Sequence, residues 1–390
     1  MRIGIDACTW ANRRGYGRFT RMLVTTMVAE HPHHQFILVA DQHTAADCDF
    51  PAGAQVEIVQ TREQPTQAAS ADSSRSPADL WKLSRAVSRL RFDAFLFPSS
   101  YSFYPLFCKT PAVVVIHDAI AEQHPKLIFP GLKSRLLWNL KSWLALRRAN
   151  RLVTVSEDAR NQLAAVFRRP ASGIEVISEG PDPSFRPFDV TEIGPAILEK
   201  YQLPAGVPLI LYVGGISPHK NLQGLLHALA RIERSAWHVV LVGDYAGDSF
   251  FGCYKEVLEL SRSLNLAERV TFTGYVGDAD LVILYNLATM LVLPSFGEGF
   301  GLPVVEAMAC GLPVAASNRN SLPEIVGEAG LLFDPLSQEQ LAGVITRLLN
   351  DESLRNELRT RGLKRIELFS WKTSSRKLIS IIEEAANGAE

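Results

Sequence analysis

At 390 residues, with 47% apolar and 21% charged side chains, the chain has an ordinary globular composition and is long enough for two domains, each with its own core. Its formal net charge of −1 argues against a nucleic-acid-binding protein, which normally needs a basic excess. The five cysteines are scattered and never form a C-x-x-C pair, so neither a disulfide framework nor a zinc site is expected.

The expected compartment is a reducing cytoplasm. Residues 1–7 are typical of a short strand and lack the apolar core of a signal peptide. No run approaches the roughly 18 to 20 uninterrupted apolar residues that cross a bilayer.

Short β-like runs alternate with amphipathic helical stretches in the first half, which predicts a parallel sheet with crossover helices. The predicted strands are 2–6, 35–39, 56–59, 94–97, 112–116, 151–155 and 175–177. Residues 61–77, rich in Ser, Ala and Gln, predict a mobile loop, followed by a helix near 79–90.

A Pro- and Gly-rich stretch at 180–188 predicts a linker, after which the pattern restarts. Apolar runs at 209–213, 238–242, 270–273, 289–293, 312–316 and 330–333 predict a second parallel sheet. The predicted fold is therefore α/β, with two doubly wound Rossmann-like domains facing across a cleft. We expect a first domain at 1–185, a second domain at 186–370, and a closing helix at 371–390 that crosses back to the first domain.

The segment 294–311, PSFGEGFGLPVVEAMACG, organises the second half. The strand before it, its glycine turn, and Pro303 at a helix start predict an anion site, because helix N-termini offer unpaired N–H groups and a positive dipole. Gly311 is expected to end the helix. Glu306 is expected in the helix's first turn, eight residues after Glu298, so that two carboxylates serve one ligand.

Two other loops after strands carry further signals. Residues 214–222 combine Gly214 and Gly215 with Lys220 at a helix start, which suits a diphosphate, although a solvated lysine is the alternative. Residues 273–277 offer bare backbone that could bind a flat base, a signal that is weak by itself.

Together, the segments GGISPHKN (214–221), FTGYV (272–276) and PSFGEGFGLPVVEAMACGLPV (294–314) resemble the family-four retaining glycosyltransferases of the GT-B fold. The resemblance covers nearly the whole chain, with further matches at GYGR (15–18), IHD (116–118) and VTVSE (153–157). Its most specific part is the pair of glutamates separated by seven residues.

The resemblance implies that the first domain binds the acceptor and the second the nucleotide-sugar donor, and it implies a role for each matched residue. The catalytic group is His117, Lys220 and Glu298, with His117 at the sugar from the first domain. The donor-binding group is Gly17, Arg18, Gly214, Gly215, Lys220, Tyr275, Val276, Glu298, Gly299, Phe300, Gly301, Leu302 and Glu306. Within it, Glu306 would bind ribose, Lys220 the diphosphate, and the backbone near Tyr275 the base, while Glu298 and the 300–302 amides would hold the sugar.

One residue departs from the family pattern. Many members carry an arginine where this chain has Gly215, so that only Lys220 remains on the diphosphate. Either His219 or Arg18 supplies the second positive group, or the site binds diphosphate more weakly.

The expected chemistry needs neither a metal nor a cofactor beyond the nucleotide sugar. Positive charges at the leaving diphosphate help most, so Glu298 is not assigned as a covalent nucleophile. In the family picture, the leaving phosphate takes the acceptor proton on the same face. Asp278 and Asp280 resemble an Asp-x-Asp metal motif, but their position before an apolar-periodic stretch favours a helix cap.

The predicted activity is transfer of a sugar to a hydroxyl of a glycan or lipid-linked acceptor in cell-surface polysaccharide or glycolipid synthesis. Mannose from GDP-mannose is the first expectation, with UDP-sugars close behind. The alternatives are a non-catalytic nucleotide- or sugar-binding protein and a phosphorylase or epimerase on the same fold.

Residues 123–156 contain seven basic and no acidic residues, interleaved with leucines and tryptophans. Such segments dock on anionic membranes, which would place the protein peripherally on the inner face of the membrane. A domain helix with a basic face in water explains the pattern equally well. A histidine cluster at 31, 33 and 34 lies between a helix and a strand, where we expect a polar loop rather than a metal site.

Overall fold

A computed structural model describes residues 1–62, 76–129, 131–232, 236–245 and 252–388. The strands of the first sheet are β1 (Arg2–Asp6), β2 (Gln35–Asp41), β3 (Ala54–Val59), β4 (Ala94–Phe97), β5 (Ala112–Val115), β6 (Arg151–Thr154) and β7 (Ile174–Val176). Those of the second are β8 (Leu209–Val213), β9 (His238–Val242), β10 (Val270–Gly274), β11 (Met290–Leu293), β12 (Val314–Ser317) and β13 (Gly330–Phe333).

The helices connect these strands. In chain order they are α1 (Gly15–Glu30), α2 (Gln42–Asp47), α3 (Pro77–Leu90), α4 (Ile120–Gln123), α5 (Pro125–Ile128), α6 (Leu132–Arg148), α7 (Glu157–Phe167), α8 (Gly194–Lys200), α9 (Leu222–Leu229), α10 (Tyr254–Ser263), α11 (Asp278–Leu287), α12 (Leu302–Ala309), α13 (Leu322–Val326), α14 (Gln338–Asn350), α15 (Glu352–Arg365) and α16 (Trp371–Asn387). Among the described residues, no helix is both long and apolar enough to span a bilayer.

The predicted strands are all confirmed, with ends that differ by at most two residues. The first sheet has the order β3-β2-β1-β4-β5-β6-β7 and the second β10-β9-β8-β11-β12-β13, and every pairing is parallel. Both orders reverse next to the sheet's first strand, which is the doubly wound arrangement. The helix expected near 79–90 is α3, whereas most of the predicted mobile loop lies outside the described residues.

The chain forms two compact units. Unit 1 is Met1–Glu179 together with Trp371–Glu390, and unit 2 is Gly180–Ser370. The division thus falls between 179 and 180, rather than between 185 and 186. Helix α16 packs on α1 and across β4, β5 and β6, so the last element of the chain completes the core of unit 1.

Candidate functional site

The loops that follow β8 and β11 meet at the reversal of strand order in unit 2. The two strands are hydrogen-bonded neighbours; β9 and β10 lie on one side of them and β12 and β13 on the other. In doubly wound sheets, the loops leaving such a pair run to opposite faces and open a crevice where ligands bind. The loop after β8 carries Lys220, and the loop after β11 carries Glu298.

Lys220 and Glu298 form an ion pair at this position. The Lys220 ammonium donates to both carboxylate oxygens of Glu298, each at 2.8 Å, and the Ser295 hydroxyl donates to Oε1 at 2.6 Å. Both charged side chains are largely buried, with 17% and 11% exposed. The structure therefore joins two predicted site residues that are 78 positions apart in sequence.

Backbone groups also connect the two loops. The amide of Phe296 donates to the carbonyl of His219 at 2.8 Å. The Asn221 side chain donates to the carbonyls of Pro294 and Pro335, at 3.1 and 2.9 Å. Asn221 has a left-handed backbone, with φ of 57°, which asparagine tolerates better than most residues do. Asn221 belongs to the motif found in the sequence, but the hydrogen bonds by which its side chain connects the two loops are visible only in the tertiary structure.

The segment from Glu298 to Leu302 is held by its surroundings. The Ser321 hydroxyl lies 2.9 Å from the carbonyl oxygen of Glu298 and 3.0 Å from that of Phe300. Phe300 and Leu302 have buried side chains, so the backbone is what this segment can offer a ligand. Gly301 has a φ of 99°, a backbone conformation that favours glycine, and a Cβ there would lie 2.8 Å from Leu322 Cδ2, so the leucine side chain would also have to shift.

Glu306 is buried, with 3% exposed, and the Tyr285 hydroxyl donates to its Oε2 at 2.9 Å. The expectation that Glu306 lies in the first turn is wrong: α12 begins at Leu302, which makes Glu306 its fifth residue. Tyr285, on α11, was not identified from the sequence, since in that helix it has the pattern of an ordinary core residue.

The end of α12 follows the prediction. Pro303 lies in the first turn, and the helix ends at Ala309, two residues before Gly311. Gly311 has a φ of 70°. Its amide donates to the carbonyl of Met308 and the amide of Leu312 donates to that of Ala307, which together form a Schellman motif.

Burial, together with the negative charge of Glu306, raises the pKa of the Cys310 thiol to about 12, so this cysteine is protonated at neutral pH.

The loop after β10 presents Tyr275, which is 45% exposed, while Val276 beside it is buried. Near this loop the rings of Tyr245 and Tyr254 are stacked, with centroids 4.1 Å apart and an interplanar angle of 6°. Tyr245 lies 3.8 Å from the position of a Cβ on Gly274. This aromatic pair was missed because Tyr245 and Tyr254 come from separate, non-repeating segments.

Asp278 and Asp280 lie in the first turn of α11, and the N-cap residue is Gly277, without a side-chain capping bond. The helix-cap interpretation is therefore wrong in detail, although both carboxylates are placed favourably for the helix dipole. Asp280 accepts from Lys200 Nζ at 2.6 Å and from Tyr201 Oη at 2.7 Å. These two bonds lower the pKa of Asp280 and link α11 to α8.

In unit 1, His117 follows β5 and is buried. Its Nε2 donates to the carbonyl of Pro98 at 3.0 Å, and its Nδ1 lies 3.6 Å from a carboxylate oxygen of Glu179. The Phe19 ring packs against the imidazole edge-on, at 4.5 Å. His117 is thus held at the carboxyl ends of the strands by β4, α1 and the segment after β7.

Gly17 and Arg18 lie in the first turn of α1. A Cβ on Gly17 would lie 2.0 Å from the carbonyl oxygen of Asn12, so no larger residue fits there. Arg18 is half-buried and has interaction partners of its own. Whether Arg18 or His219 assists Lys220 stays a prediction.

The segment with the three histidines does lie between α1 and β2, as expected, but His34 is buried. Its Nε2 is 3.2 Å from a carboxylate oxygen of Glu383 on α16. Ligand atoms of His33, His34 and Glu383 lie within 4.8 Å of one another. The predicted absence of a metal ion here stays a prediction.

Two family models match the chain. The model for glycosyl transferases group 1 matches residues 195–365, and the glycosyltransferase family 4 model matches residues 13–185. The O-antigen chain mannosyltransferase B of Escherichia coli is 36% identical over 282 residues, which cover 69% of each chain.

Among solved structures, the sucrose-phosphate synthase from Thermosynechococcus elongatus superposes with a TM-score of 0.78 at 20% identity, covering 98% of both chains. HepE from Anabaena, in complex with UDP-glucose, superposes with a TM-score of 0.74 at 19% identity, covering 98% of this chain and 100% of HepE. These matches confirm the predicted fold class. The chain therefore belongs to the family 4, group 1 glycosyltransferases of the GT-B fold.

Proposed function

We propose that the protein is a retaining, metal-independent hexosyltransferase that uses a nucleotide-diphosphate sugar as its donor. The proposed donor is GDP-mannose, and the proposed transferred sugar is mannose. The proposed acceptor is a hydroxyl of a glycan or of a lipid-linked sugar in cell-surface polysaccharide synthesis. The meeting of Lys220 and Glu298 at the strand-order reversal of unit 2 carries this proposal. The mannosyltransferase relative at 36% identity supports the choice of sugar and pathway class.

Lys220 would stabilise the leaving diphosphate. As the bond between the anomeric carbon and the diphosphate oxygen breaks, negative charge grows on the phosphate, and a nearby ammonium lowers the barrier. The diphosphate and Glu298 both attract this ammonium, so donor binding would exchange one anionic partner for another. Glu298 would then be available to accept hydrogen bonds from hydroxyls of the sugar.

Glu306 would accept hydrogen bonds from the ribose hydroxyls. The Tyr285 hydroxyl donates to one of its two carboxylate oxygens, which helps to fix the orientation of the group. The backbone near Tyr275 and Val276 would contact the base.

Retention of configuration would follow if the acceptor hydroxyl attacks the face from which the diphosphate leaves. The leaving phosphate oxygen then takes the acceptor proton, and no covalent bond to Glu298 is formed. The Asp280 carboxylate is bound to Lys200 and Tyr201, which supports a structural use of the Asp-x-Asp pair.

The test combines a donor panel with one pair of variants. Transfer to a mannose-containing acceptor is measured with GDP-mannose, UDP-glucose and ADP-glucose, with and without EDTA, and the anomeric configuration of the product is determined by NMR. Lys220→Ala should abolish transfer. Lys200→Ala is the matched control, because it removes a lysine that is ion-paired with a carboxylate in the same unit but is not one of the proposed donor-binding residues.

Each result bears on one part of the proposal. An α-linked product from the α-linked donor in EDTA supports retention without a metal, and an inverted product contradicts it. Substantial transfer by Lys220→Ala would exclude the diphosphate role. Binding of nucleotide sugars without turnover on any acceptor would favour the non-catalytic alternative.

A further inference from the structure

Helix α6 places its apolar and polar side chains in an unusual way. The residues it buries include Ser134, Trp138, Ser142 and Ala145, whereas its leucines at 132, 136 and 140 are 77%, 68% and 54% exposed. Trp143 is also 54% exposed. Because burying a leucine is favourable by roughly 1.5–3 kcal/mol, a helix that only completes a core would turn these residues inward.

The exposed residues form one continuous stripe. At 100° per residue, Leu132, Leu136, Leu140 and Trp143 fall within an arc of about 80° on the helix surface. The buried side chain of Trp138 points to the opposite side of the helix, where its Nε1 donates to Glu122 at 2.7 Å. We call the four exposed residues the α6 stripe.

Basic residues flank the α6 stripe. The helix carries no acidic residue, and three of its five basic residues, Lys133, Arg135 and Arg147, lie in or beside the stripe. The other two face the protein, where Lys141 donates to the carbonyl of Tyr101 and Arg148 donates to those of Cys108 and Thr110. The Arg147 guanidinium lies 5.6 Å from the centroid of the Trp143 ring, so charge and apolar surface are adjacent. The acidic neighbour in contact with the helix, Glu122, is mostly buried beneath it and does not neutralise its outer face.

We propose that the α6 stripe and its basic border dock on the surface of an anionic lipid bilayer. The leucines and Trp143 would enter the headgroup region, and Lys133, Arg135 and Arg147 would contact lipid phosphates. This combination of apolar residues, tryptophan and flanking basic residues is what interfacial membrane helices need. A bilayer that carries the lipid-linked acceptor would thereby hold enzyme and acceptor together.

Charge complementarity favours a bilayer over a second copy of this chain. Two α6 faces in contact would place three positive charges opposite three more, with no acid on either helix to pair them. A helix also presents a convex surface, which fits a deformable bilayer. The inference does not depend on the identity of the donor, since vesicle binding is measured without any sugar.

The experiment is cosedimentation of the full chain with vesicles of phosphatidylcholine alone or mixed with equal parts of phosphatidylglycerol. The wild type should bind the mixed vesicles at low salt and dissociate as salt rises. The triple variant Leu136→Gln, Leu140→Gln, Trp143→Gln and the double variant Lys133→Glu, Arg147→Glu should each bind at least tenfold more weakly, since each basic residue near the surface contributes about fivefold.

A control distinguishes vesicle binding through the α6 stripe from non-specific binding through any exposed leucine. Leu336→Gln removes a leucine of unit 2 that is 73% exposed, and its binding should equal that of the wild type. All variants alter exposed residues, so thermal unfolding midpoints should stay close to the wild-type value.

Three results would overturn the proposal. They are failure of the wild type to bind anionic vesicles at low salt, equal binding to neutral vesicles, and binding unchanged in the triple variant. Sedimentation velocity tests the alternative that a second copy of this chain covers the stripe. If the wild type is a dimer that does not bind vesicles, and the triple variant is a monomer, the stripe serves self-association. Sugar transfer to a soluble acceptor, measured in parallel, shows whether the proposed transferase activity is present or absent independently of membrane binding.

Discussion

At the scale of one residue, Glu306 shows how a hydrogen bond can stabilise and orient a buried carboxylate. Burying an ionised group is costly unless hydrogen bonds compensate for the lost water. Tyr285 donates one such bond from α11, and its ring packs at 5.6 Å from Phe185, which holds the hydroxyl in place. Tyr285 is thus a positioning residue for the proposed ribose-binding carboxylate.

Tyr285→Phe should raise the KM for the donor about tenfold or more, with a smaller change in kcat. A hydrogen bond to a charged group is worth roughly 1.5–3 kcal/mol, and its loss removes one restraint on the orientation of the carboxylate. Steady-state kinetics with the best donor of the panel provide the measurement.

Tyr201→Phe is the matched control, because it removes a tyrosine hydroxyl bound to Asp280 in the same unit. It should leave the donor KM unchanged. If both variants lose stability to a similar extent and neither changes the KM, the positioning role is wrong.

Among the elements, the loop between β11 and α12 was predicted most completely. Its strand, its glycine turn and the proline at the helix start are local features that periodicity and backbone chemistry reveal. The hydrogen bonds that hold this loop in place could not be predicted, because their donors, Ser321 and Asn221, come from other parts of the chain.

Gly301→Ala tests the rigidity of this loop. Alanine at a φ of 99°, with its Cβ 2.8 Å from Leu322, should lower the free energy of unfolding by about 1–3 kcal/mol and reduce transfer. Chemical denaturation and the transfer assay are the measurements.

Gly343→Ala provides the comparison, since Gly343 lies in α14 with no atom within 4 Å of an added Cβ. It should stabilise the protein by about 0.5–1 kcal/mol. An equal effect of the two substitutions would contradict the strain argument.

At the scale of the whole molecule, the last helix belongs to the first unit. Helix α16 buries an apolar face against unit 1, and Ser374 donates to the carbonyl of Ser178 at 2.6 Å. Exposed ion pairs, including Lys377 with Glu175 at 3.1 Å, add little at the rim. Apolar burial therefore dominates the attachment of α16.

Truncation after Ser370 should destabilise unit 1 and leave unit 2 largely protected. The missing segment includes five large residues buried in unit 1: Trp371, Leu378, Ile379, Ile381 and Ile382. Their burial contributes roughly 7–15 kcal/mol in total, which is comparable with the stability of a domain.

Hydrogen exchange measured across both units is the readout. Faster exchange should be confined to β1–β7 and the helices that cover them. Lys377→Ala is the control and should change nothing measurable. Uniform loss of protection in both units would contradict the assignment of α16 to unit 1.

The sequence by itself determined the elements that depend on neighbouring residues: the strands, the alternation with helices, the restart near 180, and the glycine and proline positions around α12. It also contained the motifs that placed the chain in its family. These features could be predicted because periodicity and backbone preference act over a few residues.

Only the tertiary structure decided which distant groups meet. Lys220 reaches Glu298 because the order of the second sheet makes β8 and β11 neighbours, and Tyr285 reaches Glu306 because α11 and α12 flank β11. The outward face of α6 likewise depends on what packs beneath it. Such contacts depend on sheet order and on packing between segments far apart in the chain, which local periodicity does not encode.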